Sequence, residues 1–210
     1  MFDTLNVEVD GAIGRVELNQ PDKLNPLSRL ALSELAEAAR WLDKQPTVKV
    51  VVVRGLGRAF SAGADLGWMR RMADNTRQEN LDDSRELARL MNTLNHLSKP
   101  VIGLVQGAAF GGAVGLAACC DIVLATEKAS FCLSEVKLGL IPAVISPYVV
   151  RAIQRDAKAR ASMGADQWAA EARSTPGVSG AMMHFTTTTT TIATTSDGAE
   201  EEAELRRCLE

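Results

Sequence analysis

Leu5, Val7 and Val9 alternate with polar residues, Asp10-Gly11 supplies a turn, and Ile13, Val16 and Leu18 follow, so the pattern predicts a β-hairpin ending before Pro21. Asn25-Pro26 fits a helix N-cap followed by proline at the first helical position. Leu27, Ala31, Leu35, Ala38 and Leu42 then recur near helical period up to Pro46, and an amphipathic helix is expected there. Residues 48–53, Val-Lys-Val-Val-Val-Val, are β-branched and mostly apolar on both faces, as a parallel strand covered by helices requires. A glycine-bearing loop over 55–67 leads into a charged stretch in which Leu87, Leu90, Met91, Leu94 and Leu97 share a helical face, stopped by Lys99-Pro100.

Residues 101–120 carry no charge, long enough for a membrane span, and Gly107, Gly111 and Gly115 stand at GxxxG spacing. Five glycines, Gln106 and the lack of a Trp or Tyr belt argue instead for a strand over 101–105, a glycine turn and a short helix from about Gly111. Residues 121–125 read as another strand, 131–133 as a short one and 142–153 as helical. Strands alternating with helices predict an α/β architecture. The last part breaks the pattern: eight of the ten residues over 186–195 are threonine, and the acidic run Glu200-Glu201-Glu202 follows. A core domain over 1–173 and an atypical, disordered tail over 174–210 are therefore expected, with 203–209 suited to a short helix.

At 210 residues and 46% hydrophobic, the chain can bury one sizeable core and at most two domains. Its 23 basic and 26 acidic residues leave a formal charge of −3, which gives no reason to seek a nucleic-acid or anionic-membrane partner. Cys119 and Cys120 are adjacent, Cys132 and Cys208 far off, and His96 and His184 form no ligand spacing, so neither a disulfide framework nor a metal site is expected. The N-terminal residues show no basic and apolar leader, and a cytoplasmic location is expected.

Candidate chemistry gathers in two glycine-rich segments, 59–66 (Ala-Phe-Ser-Ala-Gly-Ala-Asp-Leu) and 107–113 (Gly-Ala-Ala-Phe-Gly-Gly-Ala), each after a parallel strand. Ligands of open α/β sheets bind at such strand ends, and glycine lets backbone N–H groups approach them. The second segment also opens a helix, whose first amides lack internal partners. Two such amides aimed at one point make an oxyanion hole for enolate or tetrahedral chemistry at a carbonyl. The same glycines also suit tight strand–helix turns. Neither segment matches the dinucleotide or P-loop phosphate signatures. Glu135, set among Phe131, Leu133 and Val136, is a candidate proton carrier; an exposed strand-end carboxylate or a partner of Lys137 is the plainer reading. Asp65 and Asp121 are expected to cap backbone donors, and His96 to sit at a helix end. Trp68 with Arg70 and Arg71 suits either a ligand mouth or an exposed helix face.

These segments, in order, carry a resemblance. Residues 19–27 (Asn-Gln-Pro-Asp-Lys-Leu-Asn-Pro-Leu), 59–66, Lys99-Pro100-Val101-Ile102, 106–112, Cys120-Asp121-Ile122 and 134–142 are spaced as in the enoyl-CoA hydratase/isomerase (crotonase) family, which the chain resembles from its first strand to about Arg173. The resemblance implies a spiral of ββα units whose C-terminal helical domain is here truncated or replaced from Ser174 on, whether natively or through a shifted reading frame. It implies backbone N–H donors at Ala64 and Gly112, and a CoA site drawing on Lys23, Leu24, Ala62, Asp65 and Leu66. Coenzyme A then belongs to the substrate, and no separate cofactor is implied. Family members form trimers or hexamers through the missing helices, so exposed apolar surface is expected here.

Hydratases similar to this chain carry two glutamates twenty positions apart; the second falls on Glu135 and the first on Gly115. The implied reaction is addition of water to an α,β-unsaturated acyl-CoA with Glu135 as the one acid/base. The alternatives are an enoyl-CoA isomerase using the same carboxyl, or a catalytically impaired CoA-binding chain. Residues 110–116, 131–135 and 143–147 look most like bacterial hydratases of methyl-branched glutaconyl thioesters in leucine and terpene breakdown. That likeness points to 3-methylglutaconyl-CoA, and the missing side chain at Gly115 is expected to make room for the branched acyl group.

Overall fold

The computed structural model describes residues 2–72, 74–135 and 140–163; the tail predicted over 174–210, with its short helix, lies outside them. The alternating N-terminal segment folds as the expected hairpin. Strands β1 (Leu5–Asp10) and β2 (Ile13–Leu18) pair antiparallel with Val7 opposite Val16. Gly11 closes the turn at φ +58°, a left-handed conformation that glycine adopts without steric cost.

From β2 onward the chain repeats one plan. A long strand is followed by a short extended piece and then by a helix. After β2, Leu27 is the extended piece and α1 (Arg29–Asp43) the helix. After β3 (Val50–Gly55), residues 61–64 are the extended piece, followed by α2 (Leu66–Met72) and α3 (Arg77–Asn95). Then come β4 (Val101–Val105), β5 (Ala108–Phe110) and α4 (Gly112–Cys119), and finally β6 (Ile122–Ala125), β7 (Ser130–Cys132) and α5 (Ser146–Met163). The long strands form one sheet in the order β1-β2-β3-β4-β6, parallel beyond the first pair. The short pieces stack separately: Leu27 bridges Ala64, Ser61 bridges Ala109, and β5 pairs with β7. That second stack brings the ends of successive turns to one place.

The uncharged run over 101–120 is thus two strands and a short helix. Among the described residues no helix is long and apolar enough to cross a membrane. As the valine run predicted, Val50, Val51, Val52 and Val53 are all buried. The main core joins Val51, Val53, Val101 and Val105 to Leu32, Leu35 and Leu42 of α1, Leu90 and Leu94 of α3, and Leu116 of α4. Each is removed from water at about 1.5–3 kcal/mol per large side chain.

Asn25 departs from expectation. It is not an N-cap: that role belongs to Ser28, whose Oγ accepts the Ala31 N–H at 3.2 Å. Asn25 instead lies at φ +52°, 1% exposed, and its side-chain amide donates to the carbonyls of Leu56, Ala59 and Phe60 at 2.8, 2.9 and 3.2 Å. Pro26 bars the preceding residue from the helical region, and asparagine tolerates the left-handed one, so the side chain turns into a clip between two turns of the spiral.

Candidate functional site

The amides of residues 60–65 can be accounted for one by one. Phe60 donates to the Gln106 carbonyl at 2.7 Å, Ser61 to Ala108 at 2.9 Å, Ala62 to Leu24 at 2.9 Å, and Asp65 to Leu27 at 3.3 Å. Gly63 donates to Ser61 Oγ at 3.2 Å. The Ala64 N–H has no acceptor among the described residues. Its direction follows from the bridge pattern: Leu27 takes the carbonyl of Gly63 and gives its own to Asp65, so the amide between them faces away from Leu27.

The second segment shows the same economy. Gly111, at φ +55°, donates to the Cys132 carbonyl at 2.8 Å. Gly112 and Ala113, the first residues of α4, donate to no described acceptor, as first-turn amides do unless capped. The two segments touch. A Cβ on Gly63, at φ +95°, would lie 2.8 Å from the Phe110 carbonyl oxygen, and one on Gly112 would lie 3.1 Å from Cδ1 of Leu27, the residue that bridges Ala64. Gly63 is needed for the approach, since it meets backbone from a left-handed φ, whereas at Gly112 the contact is the tip of a leucine side chain. The turn reading of these glycines holds, and it leaves the Ala64 and Gly112 amides without a described acceptor.

Glu135 follows β7 and reaches the same place: Oε1 is 3.2 Å from the position of a Gly111 Cβ. Its Oε2 is buried and, among the described residues, has no hydrogen-bond partner. Such an atom costs stability unless it serves something else. Ala64, Gly112 and Glu135 all line one cavity of about 510 Å³, walled otherwise by Leu27 and Leu32, by Trp68, Met69 and Met72 of α2, by Asn80, Asp83, Ser84 and Leu87 of α3, and by Leu140 and Val144. An apolar cavity lined by two residues with backbone amides unpaired among the described residues and by one carboxylate with a free oxygen has the groups needed to hold a carbonyl, polarise it and move a proton beside it.

Most of the other sequence candidates are not among the residues that line this cavity. Leu24, at φ +61°, and Ala62 are joined by the amide–carbonyl bond given above, with Lys23 exposed beside them. Asp65 does the capping expected of it, accepting the Trp68 N–H at 2.7 Å, and Leu66 begins α2. Lys23, Leu24, Ala62 and Asp65 do not line the cavity. Asp121 accepts the Val101 N–H at 2.9 Å, again a cap, and His96 ends α3 with Nδ1 against the Asn92 carbonyl at 2.8 Å. Burial pushes the Cys119 thiol up to about 12 and that of Cys120 higher still, which removes both as nucleophiles.

Gly115 corrects an expectation. A Cβ there would lie 2.5 Å from Ile145 Cγ2 and 3.0 Å from Met91 Sδ, and Gly115 does not line the cavity. The space left by the missing side chain is filled by Ile145, so it gives no room to a branched acyl group. Asp83 was missed. It is 4% exposed, accepts the Trp68 indole N–H at 2.9 Å and lies 3.4 Å from Arg29. Its helical spacing from Leu87, Leu90 and Leu94 could have shown that it faces inward.

The enoyl-CoA hydratase/isomerase family profile matches residues 8–184. A Thermus thermophilus protein whose name places it among enoyl-CoA hydratases is 39% identical over 143 residues, 68% of this chain and 56% of its own length. The crystal structure of an enoyl-CoA hydratase from Shewanella pealeana shares 48% identity with a TM-score of 0.71, covering 72% of this chain and 57% of that one. An enoyl-CoA hydratase structure from Mycobacterium smegmatis, 31% identical, gives a TM-score of 0.68 over 74% and 60%. The chain thus spans little more than half the length of each of these three proteins.

Proposed function

The chain belongs to the enoyl-CoA hydratase/isomerase family, and from that premise we propose that it adds water across the double bond of an α,β-unsaturated acyl-CoA. The observation that carries the reading is the meeting of the Ala64 and Gly112 amides and the open Glu135 carboxylate on one cavity. The thioester oxygen sits between the two N–H groups, each supplying about 3–4 kcal/mol as charge develops on it. Glu135 takes a proton from water, the hydroxyl oxygen bonds to Cβ, and the Cα–Cβ π electrons move onto the thioester oxygen as an enolate. The protonated Glu135 then returns the proton to Cα, and the carboxylate is restored. Lys23, Leu24, Ala62, Asp65 and Leu66 are proposed to hold the CoA portion, a role supported by their places around Ala64.

The finer proposal for the acyl group is 3-methylglutaconyl. It rests on the likeness of residues 110–116, 131–135 and 143–147 to hydratases of such thioesters, without the support once expected from Gly115. A second reading is favoured by the single open carboxylate: Glu135 carries a proton from one carbon to another, moving the double bond without water. Absorbance of the conjugated thioester separates them. Hydration bleaches it, isomerisation into conjugation creates it, and an unchanged signal with crotonyl-CoA, 3-methylglutaconyl-CoA and a β,γ-enoyl-CoA alike would sink both.

A further inference from the structure

Asp83 is a buried carboxylate in the cavity wall that the proposed chemistry leaves unused. Its two oxygens face different elements. Oδ2 accepts the indole N–H of Trp68 on α2 at 2.9 Å, and Oδ1 lies 3.4 Å from a guanidinium nitrogen of Arg29, the first residue of α1. A carboxylate held this far from water is costly, and an apolar side chain would fill the place more cheaply. What the acid supplies is a directional link between three elements, each of which lines or adjoins the cavity.

The link matters most for α2. A helix of seven residues has little stability of its own, so its position depends on its anchors. One anchor is local, Asp65 Oδ1 on the Trp68 amide at 2.7 Å; the indole–Asp83 bond is the other end of the same residue, tied across to α3. Trp68, Met69 and Met72 line the cavity from α2, and Asn80, Asp83, Ser84 and Leu87 from α3. The distance between these two rows is one width of the cavity.

We propose that Asp83 is a positioning residue: through Trp68 it fixes α2 against α3, sets the width of the acyl cavity and so selects which acyl chains enter. The inference rests on the acyl-CoA reading above. Its role is in fit and not in proton transfer, since both its oxygens are already engaged.

The test measures dissociation constants of butyryl-CoA and octanoyl-CoA, saturated thioesters that need no turnover, alongside KM and kcat for crotonyl-CoA. The proteins are wild type, Trp68→Phe, Asp83→Ala and Asp83→Asn. Wild type should separate the two chain lengths. Trp68→Phe, which removes the indole N–H together with the five-membered ring and keeps an aromatic side chain in the wall, and Asp83→Ala, which removes the acceptor and leaves Trp68 whole, should bring their ratio toward one by about fivefold to tenfold, the size of one hydrogen bond. Crotonyl-CoA should show a raised KM with kcat within about threefold. Asp83→Asn keeps an acceptor for the indole and should recover most of the ratio. A ratio within twofold of wild type in Trp68→Phe, or a wild type that binds both chains alike, overturns the inference even if Asp83→Ala fails to fold. Loss of wild-type turnover with the ratio still shifting overturns the lyase reading alone; a wild type that binds neither thioester overturns both.

Discussion

The cavity has two unlike walls. One is built of backbone: Ala64 and Gly112, whose amides have no acceptor among the described residues, lie beside Gly63 and Gly111 in left-handed conformations, and the amides of Gly63, Asp65 and Gly111 are used elsewhere. The other is built of side chains from α2 and α3, held by one indole–carboxylate bond and a charge pair. A backbone wall is set by sterics and hydrogen-bond accounting, so it is rigid and tolerates few substitutions. A side-chain wall is adjustable, and its residues exchange more cheaply. Chemistry common to many substrates suits the first, and discrimination among them the second.

The largest effect belongs to the carboxylate that completes the backbone wall. Glu135→Gln removes the proposed proton carrier at almost constant shape, and kcat for the proposed hydration should fall about 10²- to 10⁴-fold. The fold should not suffer, because a buried oxygen without a partner is exchanged for a neutral group. A thermal midpoint well below wild type would show that Glu135 is structural. Gly63→Ala should come next. Its Cβ would press on the Phe110 carbonyl at 2.8 Å from a strained φ, at a cost of about 1–3 kcal/mol in stability. The displaced Ala64 amide should lower kcat by about 10²-fold or more. Unaltered turnover in Gly63→Ala would count against a backbone origin for the hole.

The two walls also differ in how far they can be foreseen from sequence. Residues 59–66 and 107–113 announce themselves because glycine after a buried strand has few uses, a tight turn or an approach of backbone to a ligand, and the turn is visible in the left-handed Gly63, Gly107 and Gly111. Glu135 stands out only as an acid among apolar neighbours. What escaped is whatever depends on distant partners. Asn25 before Pro26 has the local signature of a cap, and only the neighbouring carbonyls of Leu56, Ala59 and Phe60 convert it into a clip. Asp83 sits in a charged stretch whose polarity hides that one acid points inward. Gly115 looked like an opening because a sequence shows a missing side chain but not Ile145, which fills the gap.

Behind the backbone wall, Gly115→Ala should be destabilising despite a better helix propensity. The gain from propensity is at most about 1 kcal/mol, whereas forcing a methyl to 2.5 Å from Ile145 costs about 1–3 kcal/mol. Equilibrium unfolding should give a net loss; a gain would mean that Ile145 moves away freely. In the side-chain wall, Leu87→Ala should cost no more than about 2 kcal/mol, since Leu87 is only partly buried, and should change KM more than kcat.

The smallest effect sharpens the contrast between an open carboxylate and a satisfied one. Burial alone would raise the pKa of Glu34 on α1, but the Asp3 amide and the hydroxyl and amide of Thr4 outweigh it and hold the carboxyl below its ordinary value. A depressed folded pKa adds stability that is complete above the unfolded pKa and is lost as pH falls through the folded one. Glu34 should therefore contribute fully at neutral pH and progressively less on acidification below the usual carboxylate range, while kcat at neutral pH is untouched by Glu34→Gln. Unfolding curves for wild type and Glu34→Gln at neutral and acidic pH check this: their separation should narrow on acidification. A separation that is constant with pH would mean that the Asp3–Thr4 clamp does not depend on charge, and a fall in turnover would tie Glu34 to the cavity from which its hydrogen bonds now set it apart.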